Sequence, residues 1–196
     1  GWFVRVYLRF HRVRKVIVMT LEELFDASKQ IELTNARIYA EFSLGLGDVD
    51  DRIADFWEEA SKEEWEHYIR VNFGQKLCAD ELDMQQEVTE FSADRIATAC
   101  HELQNYENRV SEGDIGLEEA FRIAIDMESG EANLVYHTIL EYIREAIEKS
   151  GKTYLYKRIE DVEEDMDEHV EEFIDAMKRF TQDPELVQEA TESLSS

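Results

Sequence analysis

A single proline, Pro184, stands among 196 residues, and only eight glycines accompany it. From Thr20 to Thr181 little interrupts helical backbone, and Glu, Ala, Leu, Ile and Arg dominate that span. Such residues favour helix, whereas proline removes a backbone donor and clashes with the preceding turn. An all-α fold is therefore expected. Hydrophobic residues make up 43% of the chain and aromatics 11%, too many for a disordered acidic protein and enough for a packed core. This length suits one domain.

The formal net charge is −25. Nucleic acid and anionic membrane surfaces are poor partners for such a chain, because phosphate contacts need clustered Lys and Arg. No apolar run is long enough to span a bilayer, so a cytoplasmic protein is expected. Cys78 and Cys100 form no C-x-x-C pair and read as free thiols. Residues 1–18 differ from the rest: Arg5, Arg9, Arg12, Arg14 and Lys15 occur with no acid. They read either as an added or misassigned upstream segment before a body starting near Met19, or as a basic arm docked on the acidic body. The body is expected to run from 19 to 181, with 182–196 as a polar tail.

Thr20 and Glu23 form a capping-box pattern that starts a first helix, Leu21 to about Ser43. Its apolar stripe includes Leu21, Leu24, Phe25, Ile31, Ile38, Tyr39 and Phe42, and Glu32 lies within that stripe. After Gly45-Leu46-Gly47-Asp48, a second helix is expected from about Val49 to Phe73. Residues Gly74 to Phe91 are weakly patterned. A connecting helix follows from Ala93 to about Val110, then a long helix from Gly116 to Lys149 stopped by Ser150-Gly151. A last helix is expected from Thr153 to Phe180, and a further turn or two after Pro184.

Glu64 and His67 provide the sequence's one Glu-x-x-His, on the inner stripe of the second helix with Ile53, Phe56, Trp57 and Ala60. Residues three apart on a helix share a face, so the carboxylate and imidazole can converge on one ion. Burying such groups without a partner is costly, and a metal ion removes the cost. An internal repeat strengthens the pattern. Leu21-Glu22-Glu23-Leu24-Phe25 through Glu32 aligns without gaps with Leu117-Glu118-Glu119-Ala120-Phe121 through Glu128. Tyr39 follows the first and Tyr136 the second at nearly the same helical phase. Glu63 to Tyr68 likewise aligns with Asp165 to Val170, matching His67 with His169.

Over Leu21 to Phe180 the chain resembles the ferritin-like superfamily, and within it rubrerythrin-related di-iron carboxylate proteins. Glu32 with Tyr39, Glu64-x-x-His67, Glu128 with Tyr136, and His169 carry the resemblance. It implies a ferritin-like four-helix bundle built from two repeated hairpins with a long crossover connection. It also implies two irons per chain, with manganese or zinc as alternatives, on Glu32, Glu64, His67, Glu128, Glu131 and His169. Glu131 resembles an additional glutamate of rubrerythrins. Met166 stands where the second motif expects a carboxylate, and Asp165 is the weaker substitute. Tyr39 and Tyr136 read as hydrogen-bonding neighbours of the glutamates or as core packing. Trp57 and Trp65 read as packing residues, Trp65 on the outer flank, and His101 and His137 as structural.

The implied activity is that of a non-haem di-iron oxidoreductase, a peroxidase or ferroxidase acting on hydrogen peroxide or dioxygen. With no four-cysteine rubredoxin module, electrons would come from an external donor such as a rubredoxin-like protein. The alternative is a helical metal-binding or scaffold protein with a degenerate centre, as Met166 suggests. A homodimer through an exposed helix face is compatible with either reading.

Overall fold

A computed structural model describes residues 18–113, 115–156 and 171–194. Helices dominate, with one small two-stranded sheet, in keeping with the all-α expectation. Helix α1 (Leu21–Leu46) starts at a complete capping box. Thr20 Oγ1 accepts from the Glu23 amide, and Glu23 Oε2 accepts from the Thr20 amide. Asp50 caps α2 (Asp51–Glu81), accepting from the Arg52 amide. The short connection returns α2 antiparallel to α1. Three bonds mark the register: Ser43 Oγ to the Ala54 carbonyl, Ser61 Oγ to the Ala36 carbonyl, and Lys29 Nζ to Gln75 Oε1.

Strand β1 (Val18–Thr20) pairs antiparallel with β2 (Glu87–Ser92), with Met19 opposite Val88 and both buried. The Leu21 and Glu22 amides, left without partners at the helix start, donate to the carbonyls of Gln86 and Met84. The weakly patterned stretch thus ends in a strand that completes the cap of α1. Ser92 then caps α3 (Ala93–Ser111), which packs on α1 and on α5 rather than serving as a bare connector.

The expected long third helix is two helices, α4 (Leu117–Glu128) and α5 (Glu131–Ser150). Ser129 Oγ and its amide both turn back to the Ile125 carbonyl, and Asn133 Nδ2 caps the Glu128 carbonyl. Gly130 takes an extended backbone and passes so close to the Asp126 carbonyl that a Cβ would collide with it. At the other end Gly151, with φ +69°, stops α5 as its sequence position predicts. After a 3₁₀ turn at Thr153–Leu155, helical residues 171–180 form the described part of α6. The expected tail is helix α7 (Pro184–Leu194), which buries Leu186 and Ala190 and packs on α4.

Tyr39, Phe42, Phe56, Trp57, Phe121 and Phe173 form one aromatic cluster, with Trp57 fully buried at its centre. Among the described residues no helix is long and apolar enough to cross a membrane. Helices α2 and α5 touch at Gly74, where an added methyl would meet Cδ1 and Cγ1 of Ile143. Gly74→Ala is therefore expected to destabilise the chain by about 1–3 kcal/mol in denaturant unfolding. In an Ile143→Ala background the same change should stabilise by about 0.5–1 kcal/mol, because only the helix-propensity gain remains.

Candidate metal centre

The bond from Ser61 to the Ala36 carbonyl sets the level at which α1 and α2 face each other. One turn back along α1 is Glu32, and one turn onward along α2 are Glu64 and then His67. In an antiparallel pair those steps lead to the same level. Glu32 and Glu64 are only 3% and 2% exposed, and the His67 side chain 13%. His67 Nδ1 lies 3.6 Å from Glu32 Oε2 and 3.5 Å from Glu64 Oε2. One ligand atom from each of the three residues lies within 4.8 Å of the others.

These separations are informative. They exceed a good hydrogen bond, which lies near 2.9 Å. Two donors each about 2.1 Å from one tetrahedral ion would stand about 3.4 Å apart. Glu64 Oε2 is buried and has no hydrogen-bond partner. A buried carboxylate oxygen left alone in a well-packed interior needs an explanation, and a cation seated among the three residues supplies one. The donor set of two carboxylates and one imidazole suits iron, manganese or zinc.

Without an ion the cluster holds protons. Burial, together with the charge of Glu64, pushes Glu32 above the usual carboxylate range although His67 pulls the other way. Burial opposes a charge on His67, but the two neighbouring carboxylates outweigh it and push the imidazole up. Tyr136, on α5, lays its ring against His67 with centroids 4.5 Å apart, and burial beside Glu32 pushes its phenol up. The nearby Arg70 acts in the opposite sense.

The other candidates lie elsewhere. Tyr39, two turns beyond Glu32 on α1, donates its hydroxyl at 2.6 Å to Glu128 Oε1 at the end of α4. Burial and the charges of Glu128 and Glu64 push the Tyr39 phenol well up, so it stays protonated. Glu128 does not join the Glu32–Glu64–His67 group, and neither does Glu131, which pairs with Arg95 of α3. The break at Ser129–Gly130 accounts for this, because it turns Glu131 away from the axis of α4. Glu128, Glu131, Asn133 and His137 instead line an open groove of about 390 Å³. Asp165, Met166 and His169 lie outside the described residues.

Sequence reasoning passed over Arg95, whose role depends on how α3 packs. It also passed over Ser28 and Asn35, each about one turn from Glu32, with buried side-chain oxygens that lack hydrogen-bond partners. Their spacing from Glu32 within the apolar stripe was the available signal. No protein-family model matches the chain, and no curated protein or solved structure is significantly similar to it.

Because Glu32 and His67 are both raised from their ordinary values of 4.5 and 6.5, their metal-free contributions to stability are lost as pH rises above those values. Chelator-treated protein should therefore melt progressively lower from about pH 4.5 upward, and more steeply above about 6.5, where His67 adds to Glu32. Glu32→Gln, which imitates the protonated acid, should melt higher than the parent at alkaline pH without metal, by about 1–3 kcal/mol. Saturating divalent iron or manganese should reverse that order, because the ion stabilises only a chain that binds it. Parallel melting curves for the two proteins under both conditions would show that Glu32 carries no such strain.

Proposed function

We propose that this chain is a ferritin-like metalloprotein, related in design to rubrerythrins, whose carboxylate–histidine centre serves a non-haem iron oxidoreductase. The observation that carries the reading is the convergence of Glu32, Glu64 and His67 around the unpartnered Glu64 Oε2. In this reading α1 and α2 form the first hairpin of a four-helix bundle, and α4–α5 with α6 the second. The packing of α5 on α2 and α1 supports it, as do the contacts of Phe173 with Tyr39 and Trp57.

Bound iron would supply reversible electron transfer to hydrogen peroxide or dioxygen, as a peroxidase or a ferroxidase. The chain's own residues do the rest. Glu32, Glu64 and neutral His67 would hold the ion, and its binding would displace the protons that the cluster otherwise keeps. The wall of Trp57, Phe42, Phe121 and Phe173 excludes water on one side. The Tyr136 ring covers His67 on another. Tyr39, held by Glu128, keeps a proton beside the centre. Glu128, Glu131, His169 and Asp165 are the residues proposed for a second ion. With two cysteines and no cysteine quartet, the chain would draw electrons from an external donor protein.

One observation favours a second reading, a single-ion or non-catalytic metal-binding protein. Glu131 is neutralised by Arg95 and Glu128 is bound to Tyr39, so neither faces the first three ligands. Elemental analysis of protein loaded with ferrous iron separates the readings. Two irons per chain are expected, with Glu64→Ala and His67→Ala each losing at least one and His169→Ala losing the other. Peroxide should then oxidise the loaded centre, read as near-ultraviolet ferric absorption. One tightly held iron that His169→Ala leaves in place would establish the single-ion protein. No retained metal, with Glu64→Ala folding better than the parent, would sink both.

A further inference from the structure

Described residues wall the centre on three sides. Trp57, Phe42, Phe121 and Phe173 close one, and the Tyr136 ring another. Towards the start of α1 the bundle is shut as well. Lys29 bonds Gln75 at that level, and beside Gln75 the backbone of Gly74 touches Ile143.

Towards the α4–α5 break the lining turns from apolar to oxygen. Tyr136 meets His67, and Ile143 meets Gly74 seven residues further along each helix, so α5 and α2 run parallel and in step. Five residues before Tyr136, Glu131 therefore comes level with Ser61 and Lys62 of α2. The Ser61 hydroxyl bonds the carbonyl of Ala36, the neighbour of Asn35. Glu131 and Asn35 thus share a level, about one turn from Glu32 on the side of the break. Asn35 also shares a helix face with Tyr39, whose hydroxyl reaches Glu128 in the wall of the 390 Å³ groove. Asn35 is 6% exposed, and its Oδ1 is buried without a hydrogen-bond partner. Glu131 Oε1 is buried and unpartnered too, while Oε2 holds Arg95. With Glu64 Oε2, unpaired buried oxygens follow one another from groove to centre.

We propose that this string is the inlet of the centre: a hydrated divalent cation enters at the groove and passes Glu131 and Asn35 to reach Glu32 and Glu64. The chemistry of the lining selects a cation. All of these oxygens accept, and a cation shedding water needs oxygen in its place at each step. Glu128 and Glu131 at the mouth draw positive charge inward. Arg95, already against Glu131, opposes lasting residence there, so the ion is passed on rather than kept. Ser28 provides the contrast. It is fully buried and its oxygen is unpartnered, one turn from Glu32 in the other direction, but it stands at the shut end. The inlet rests on the reading of Glu32, Glu64 and His67 as ligands, and serves a centre of one ion or two.

Cobalt(II) is the probe, added in substoichiometric amount to the chelator-treated chain. Its ligand-field absorption gives the uptake rate by stopped flow, and displacement by a chelator gives the release rate. A residue that lines a route changes both rates and leaves their ratio, the Kd, alone. Asn35→Leu is expected to slow uptake and release alike by about tenfold, the loss of one charge-bearing contact on the way in. Asn35→Asp, which keeps an oxygen in place, should take up cobalt at least as fast as the parent. Ser28→Ala should match the parent. Unchanged rates in Asn35→Leu would overturn the proposal, as would equal slowing by Ser28→Ala. So would a weaker Kd with faster release, which would make Asn35 a ligand or a support for one. Where Asn35→Leu does not fold, slower uptake by Asn35→Asp overturns the inlet by itself. A parent that takes up no cobalt would instead sink the metal centre, and the inlet with it.

Discussion

Two glutamates sealed between α1 and α2 constrain the whole arrangement. Moving one carboxylate out of water costs several kcal/mol even after the protein relaxes around it. Glu32 and Glu64 are both nearly inaccessible, and they lie close enough for the charge of Glu64 to add to the burden on Glu32. His67 can offset part of this as a cation, but only by charging a buried ring. The alternative to an ion is retained protons, which gives a folded state less suited to alkaline pH. An ion with a charge of two relieves both carboxylates at once and leaves the imidazole neutral.

The surrounding packing suits holding such a group. The antiparallel hairpin fixes Glu32 relative to Glu64 through the Ser61–Ala36 bond on one side of that level and the Lys29–Gln75 bond on the other, so the two carboxylates cannot drift apart by helix sliding. Trp57, two turns before Glu64 on the inner face, fills the core with a ring that no smaller residue replaces without a cavity. Tyr136 meets His67 from a third helix, limiting rotation of the imidazole. Rigid elements therefore supply every described member of the cluster, as a preformed site requires.

What was legible in the sequence is what depends on short range. The capping box at Thr20 and the stop at Gly151 are local chemistry, and both are where the sequence puts them. The inward phase of Glu32, Glu64 and His67 follows from helical periodicity alone, so their meeting required only that the two helices pair. The break at Ser129–Gly130 was hidden because apolar residues continue in phase on both sides, and the extended backbone of Gly130 is chosen by close approach to Asp126. Strand β2 was hidden for a different reason: Val88 and Phe91 acquire meaning only when Met19 and the start of α1 lie beside them. The Arg95–Glu131 pair likewise joins helices whose contact no local pattern announces.

The two segments matched by the sequence repeat differ in a way that bears on the proposed chemistry. In the first, Glu32, Glu64 and His67 all come from one hairpin, and the unpartnered oxygen of Glu64 lies among them. In the second, Glu128 accepts from Tyr39, and beyond it Glu131 is paired with Arg95 through one oxygen while its other oxygen, Oε1, is buried without a hydrogen-bond partner. The Arg95 cation held against Glu131 opposes a second cation there. On the two-ion reading the halves load unequally, with the Glu32–Glu64–His67 side filled first. The Tyr39–Glu128 bond then links the sides, because Tyr39 feels the charge of Glu64 while its proton points to Glu128.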